Sequence, residues 1–508
     1  MAVTWSYENA AHLLRRAAFG GTPSEVQAFF DAHGSVAEAV DTLLAFAPSK
    51  KKPPGPRDVD DYNRLKMQRW WLKIMIKSGT PGDACREKLV LFWHNHLASG
   101  SRKQPTLKYM ALQNSLFRLH ARGNFKTLVR EYNRDPANLY YLDGIENYAS
   151  NDGIHVNANE NFGRELLELF TLGVSQLATD GLADPTKPNY TEDDVHNMAR
   201  ACTGWVDVKG KIGLWSQDAW DGGRYDDDGD DQPDPMVLWG QPSNGYRIDE
   251  GVAGTPNDVL GLVFDRTDDA GNNQVGMFLS KKLWTWYAYP APAPGMKALL
   301  AQFASVFASN DFELTPLLRA MWTHDEFYGD RAKTRSVRNP VDYAVGALRA
   351  LGIRASNGKA VGGAARELGD QLRFMGMDLF EPPNVAGWPG GLTWINSGTL
   401  LARLEFAKDL AAADFGSMRL ALDHIEGLPL GQSSADPAVV VDAVVAQLGL
   451  DTGPVPLSVA QIAALVAYAT DNGARTTLDL SDADTDDARI KVRGLVALAL
   501  QTAEFMIH

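Results

Sequence analysis

Asn159-Glu160-Asn161-Phe162-Gly163-Arg164-Glu165-Leu166-Leu167-Glu168-Leu169-Phe170-Thr171-Leu172-Gly173 sets the character of this chain. Leu166, Leu169, Phe170 and Leu172 supply an apolar surface at helical spacing, and Gly173 closes the run as a glycine stop. Arg164 lies four residues from both Glu160 and Glu168, so the three share a helix face. Asn161 and Glu165 are also four apart. So many polar groups among strong apolar neighbours point to a buried polar network. The plainer alternative is a solvated ion-pair ladder, which adds little stability.

Working outward, the same helical period recurs over most of the chain. Residues 6–46 read as short amphipathic helices, with Ala10, Leu13, Leu14 and Ala17 on one face. Thr22-Pro23-Ser24-Glu25 is a helix start. A basic, proline-rich linker at 49–57 leads into helices at 59–78, 83–97, 105–121 and 125–133. Residues 144–159, rich in Asn, Asp and Gly, read as irregular. Residues 205–275 lose the helical period and read as an irregular or short-β excursion. Helices resume near 277, with breaks at 289–294, 380–394 and 428–437. The expectation is a mainly α, large multi-helix globular protein in three regions: a helical 1–204 that carries the polar motifs, the Asp/Gly-rich excursion 205–275, and a helical 276–508.

The chain has 508 residues, more than one ordinary core fills, so two or more core regions are expected. The net charge of −14 argues against a general nucleic-acid binder and against adsorption to anionic membranes. No apolar run is long enough for a membrane span, and Met1-Ala-Val-Thr-Trp5 lacks the basic and apolar segments of a secretory leader. Two cysteines, Cys85 and Cys202, read as buried free thiols.

Four further segments carry candidate chemistry. Residues 89–100 end an apolar helix on His94-Asn95-His96, just before Ser99-Gly100. Both histidines can meet one ligand if the helix stops there; the alternative is capping of its last carbonyls. Residues 190–205 place Asp193, His196, Asn197 and Arg200 on one helix face, with Asp194 in the acidic first turn. Residues 226–234 resemble the Asp-rich calcium loops of extracellular repeat proteins: Asp226, Asp228, Asp230 and Asp234 offer alternating hard oxygen ligands for Ca2+, although Asp231 stands where those loops have Gly. Residues 380–399 hold Asn384, Trp388 and Trp394 in a Pro/Gly-rich loop, where they form a candidate ligand rim or simply pack. No P-loop, dinucleotide fingerprint, zincin helix or nucleophile elbow is present, and Glu165-x-x-Glu168 with Asp193-x-x-His196 fits a di-iron bundle poorly.

Taken in order, His12-Leu-Leu-Arg15-Arg16-Ala-Ala-Phe-Gly20, Phe92-Trp-His-Asn-His96, the 159–173 stretch, Thr203-Gly-Trp205 and Pro383-Asn384-Val-Ala-Gly387-Trp388-Pro-Gly390 resemble the large bacterial family catalogued as domain of unknown function 1800. The resemblance runs from about residue 8 to 506. It implies export for many relatives and a second, co-encoded envelope protein as partner, but no reaction. Relatives often carry a His-Asp pair before a Lys-x-x-x-Gly stretch; here the acidic 226–234 loop sits nearby instead.

Two readings follow. In the first, the chain is a hydrolytic or oxidative enzyme, with metal assistance as an option. Its polar centre joins His94, His96, Glu160, Arg164, Glu165, Glu168, Asp194 and His196, with histidine as ligand or base, carboxylates as ligands or proton acceptors, and Arg164 as orienter. A second metal beside the calcium would then sit at this His/Glu centre. In the second reading the same residues fix helix packing in a non-catalytic envelope scaffold or partner-binding protein. An open cavity that reaches them favours the first and a sealed network the second.

Overall fold

Helix starts in this chain are written in side chains that can accept a backbone N–H. Thr22 and Glu25 form a reciprocal capping box ahead of the Pro23–Asp31 helix. Thr80 caps the helix Pro81–His96, Asn159 caps Glu160–Glu165, Asn273 caps Gln274–Tyr287, and Asn339 caps Pro340–Ala350. Pro81 and Pro340 occupy first-turn positions, where the missing N–H costs nothing. The computed structural model describes residues 3–53, 63–147, 159–208, 211–215, 237–239, 241–242, 259–353, 358–412, 420–453 and 455–507.

Helices dominate, as the periodicity predicts. Strand structure among the described residues amounts to four two-stranded antiparallel sheets. Two, Trp205–Val208 with Lys211–Trp215 and Val237–Leu238 with Gln241–Pro242, fall in the expected excursion. Another pairs Gln432–Ala435 with Leu478–Leu480, in a region read as helical with a Pro/Gly break. These strands are too short and polar to give a period-2 signal. A short helix, Val259–Phe264, also lies inside the excursion.

The decisive 160–172 helix departs from its reading. It is α-helical over Glu160–Glu165 and then widens to a π-helix over Leu166–Thr171. The Leu172 N–H reaches the Leu167 carbonyl at 2.9 Å, five residues back, and Thr171 Oγ1 donates to the Leu166 carbonyl at 2.6 Å. Gly173 follows at φ +76°. Single π turns often mark functional sites.

One apolar cluster runs from Ala10 to Met506. Trp71, Trp93, Trp284 and Trp322 are fully buried in it. Two buried ion pairs lie within it: Glu87 accepts from Arg118 (2.7 Å) and from Trp71 Nε1 (3.0 Å), and Lys88 meets Asp342 at 2.9 Å. Cys85 and Cys202 are buried free thiols. Among the described residues, no helix is long and apolar enough to cross a membrane.

Candidate functional site

Successive helical residues point about 100° apart, so His94, Asn95 and His96 face three directions at the end of the Pro81–His96 helix. His94 turns to the 380–394 loop: its Nε2 accepts the Phe380 N–H at 3.0 Å, and its ring packs between Trp71 and Trp388. Asn95 Oδ1 accepts the Trp388 N–H at 2.7 Å. The Ser101 N–H donates to the Phe380 carbonyl at 2.9 Å. These three bonds fasten the loop to the helix end. His96 turns the opposite way and donates from Nε2 to the Phe170 carbonyl at 3.0 Å. The His94-His96 turn and the 160–171 helix therefore meet, through a backbone oxygen freed near the π turn.

Their meeting forms one wall of a cavity of about 420 Å³, within the range of ligand pockets. The Pro81–His96 helix contributes Phe92, Asn95 and His96, and the π turn contributes Glu168 and Leu169. The 380–394 loop brings Trp388 and Trp394, and the helix Gln274–Tyr287 brings Phe278, Lys281, Lys282, Thr285 and Trp286. Ser336, Asn339 and Asp342 line the far side. Three segments singled out in the sequence thus share one cavity, although almost three hundred residues separate the first from the last.

The polar groups are unlike one another. His96 is 4% exposed, and burial, with the charge of Lys282 second, pushes its ring down to about 3. At neutral pH it is an uncharged hydrogen-bonding group and too weak a base to take a proton. Its Nδ1 has no hydrogen-bond partner among the described residues. Glu168 accepts from Tyr190 Oη at 2.8 Å. Lys281 and Lys282 are part-buried neighbours whose ammonium groups lose hydration. Burial lowers both below the ordinary lysine value; Lys281 adds to the effect on Lys282, and Asp180 partly opposes it at Lys281. Lys282 Nζ stands 5.4 Å from the centre of the Phe278 ring.

The remaining sequence candidates lie elsewhere. Glu160, Arg164 and His196 form a surface cluster with Glu192: Arg164 meets Glu192 at 2.7 Å and Glu160 at 3.5 Å, and His196 Nδ1 is 3.6 Å from Glu160. Half of the Glu160 side chain and three-quarters of Glu192 are exposed, so this is a solvated ladder rather than a buried network. Asp194 closes a capping box with Thr191 and accepts the Trp239 N–H at 2.7 Å. Glu165 is half-buried, and burial and nearby Glu168 raise its carboxyl. Asn384 is exposed and accepts the Ala386 N–H at 2.9 Å in a local turn. Of the expected rim, Trp388 and Trp394 reach the cavity.

Among the described residues, no three His, Cys, Asp or Glu side chains stand close enough together to hold a metal ion. The His/Glu centre does not fit a metal site, because its histidines diverge and its outer carboxylates face solvent. Asp226, Asp228, Asp230 and Asp234 lie outside the described residues. Lys281 and Lys282 were missed in the sequence reading. Their signal was present: Lys281 stands three and four residues from Phe278 and Thr285, and Lys282 four from Phe278 and Trp286, in an otherwise apolar run.

Comparison with curated proteins and with solved structures returns no match. The family model described as "Protein of unknown function (DUF1800)" matches residues 12–507, nearly the whole chain, and the protein belongs to that family.

Proposed function

We propose that the cavity is the active centre of an enzyme, and that its ligand is an organic acid with a flat or apolar body. The observation that carries this reading is the convergence of the 89–100, 159–173 and 380–399 segments on one open cavity. A sealed polar network would favour the scaffold reading, and an open cavity that these segments line favours the enzyme. Aromatic side chains line much of it, which suits a flat apolar body. Lys281 and Lys282 place two cations against one lining carboxylate, Glu168, beyond the paired Asp342. A bound carboxylate would compensate that excess charge in a poorly hydrated site.

Within this reading His96 orients the ligand, Glu168 is the carboxylate available for proton relay, and His94 and Asn95 position the loop that carries Trp388. The reading narrows the expected centre to His96 and Glu168 and adds the two lysines. The proposed roles use no metal; among the described residues no set of His, Cys, Asp or Glu side chains converges on one.

Tryptophan fluorescence gives a direct test, because Trp286, Trp388 and Trp394 line the cavity. Titration with 3-phenylpropionate should quench saturably, and the neutral 3-phenylpropanol should bind at least about tenfold more weakly, equivalent to ~1.4 kcal/mol for the charge. Lys281→Gln with Lys282→Gln should erase the preference. Equal or absent binding of acid and alcohol at millimolar concentration would reject the proposal.

A further inference from the structure

The two lysines differ in what surrounds them. Lys281 is balanced in part by Asp180, whereas Lys282 faces the Phe278 ring and lies close enough to His96 to weaken its basicity. Among the described residues, burial and Lys281 are what act on the Lys282 amine, and no carboxylate opposes them. An amine on the wall of an aromatic cavity, beside a second cation, is the arrangement in which lysine serves as a nucleophile rather than as a structural charge. Resting on the reading above, we infer that the ε-amine of Lys282 condenses with the carbonyl of a 2-oxo acid held in the cavity and forms an imine with it.

The chemistry balances without an oxidant or a metal. The uncharged amine adds its lone pair to the carbonyl carbon, forming the C–N bond and breaking the C–O π bond. The oxygen collects two protons, both in effect from the nitrogen, and leaves as water. The product is a neutral imine, which protonation converts to an iminium ion. Burial and the neighbouring Lys281 raise the fraction of Lys282 that is uncharged at neutral pH. Glu168 lines the same cavity, and in this step it relays the proton between nitrogen and oxygen. Lys281 is the positioning cation for the acid's carboxylate, and the tryptophans take its side chain. A 2-oxo acid offers a carboxylate to one lysine and a carbonyl to the other, and both lysines line the cavity.

The test is reductive trapping of the full chain with phenylpyruvate and sodium cyanoborohydride at pH 7.5. Intact mass should rise by one phenylpyruvate less one oxygen atom, and peptide mapping should place the label on Lys282. Labelling there should outpace exposed lysines by about tenfold or more. It should vanish in Lys282→Arg, persist in Lys281→Arg, and be suppressed by 3-phenylpropionate. Circular dichroism of both variants checks that they are folded. Label spread over surface lysines, or a label that survives Lys282→Arg, overturns the inference. If 3-phenylpropionate quenches fluorescence but Lys282 is not labelled, the imine is refuted and the acid-binding cavity stands. If neither occurs, both fall.

Discussion

Gly387 sits at φ +82°, and a Cβ built there would come within 2.5 Å of Asn95 Oδ1 and closer still to the Asn95 carbonyl oxygen. Only glycine meets both demands, and it lets Trp388 follow directly into its bond with Asn95. Gly387→Ala is expected to cost about 2 kcal/mol or more, from left-handed strain and from the clash together. It should also release Trp388, so the expected signature is a red-shifted tryptophan emission with a lowered urea midpoint. Unchanged emission and midpoint would show that the loop is not held at this point. Composition marked residues 380–394 as a special backbone. It could not show that His94 and Asn95 are the groups holding it, because the direction of a side chain at a helix end depends on where the last turn breaks. Lys282 was harder to see for a related reason: a lysine among apolar residues looks the same whether its amine reaches solvent or a cavity.

At the scale of elements, the helix Glu160–Glu165 lies against Glu192–Ala201 at a glycine. A Cβ on Gly163 would fall 2.6 Å from the Ala199 backbone nitrogen. In an exposed helix Gly→Ala stabilises by ~1 kcal/mol. Here Gly163→Ala should destabilise by about 1–3 kcal/mol, since backbone cannot yield as a side chain does. A thermal melt decides the sign: a raised Tm would mean that the helices are not in close contact. Parting them would also separate Arg164 from Glu192 and His196 from Glu160, which lie across this contact. Most helices could be read from caps and period, as at Thr22, Thr191 and the Gly173 stop. The π turn could not, because its extra residue changes hydrogen-bond partners without changing which residues are apolar. It is this turn that brings Glu168 to the cavity and leaves Arg164 outside. In an unbroken α-helix the two, four residues apart, would share a face.

For the whole molecule, distant parts of the chain meet in the core: Lys88 pairs with Asp342, Val337 bridges to Ile507, and Arg349 donates to the Met75 and Ile76 carbonyls. Period and composition locate helices but carry no record of which ones touch. The convergence at the cavity was hence legible only as a list of unusual segments. The same core gives a pH dependence. His12, His94 and His96 are buried, and burial lowers each ring, the latter two to about 3. The unfolded chain takes up those protons near pH 6.5 and the folded chain does not, so their stabilisation is complete above pH 6.5 and is lost as the pH falls below it toward 3. Between pH 7.5 and 5.5 the loss is ~1.4 kcal/mol for each of His94 and His96, about 3 kcal/mol together, and His12 adds to it in the same direction. Asp135 works in the opposite sense. Burial raises it to about 7, so its neutral folded form gains relative to the unfolded carboxylate as the pH falls through 7, by ~2 kcal/mol over the same interval. The net expectation is a fall of about 1 kcal/mol or more from pH 7.5 to 5.5, read as a lower urea midpoint at unchanged slope. His94→Gln keeps an acceptor for the Phe380 N–H but does not titrate, so it should remove ~1.4 kcal/mol of the histidine loss. Asp135→Asn should steepen the fall by removing the opposing gain. A midpoint that rises on acidification, or a dependence that His94→Gln leaves untouched, would mean that these rings are hydrated in solution and that the packing around the His94-Asn95-His96 turn is looser than described.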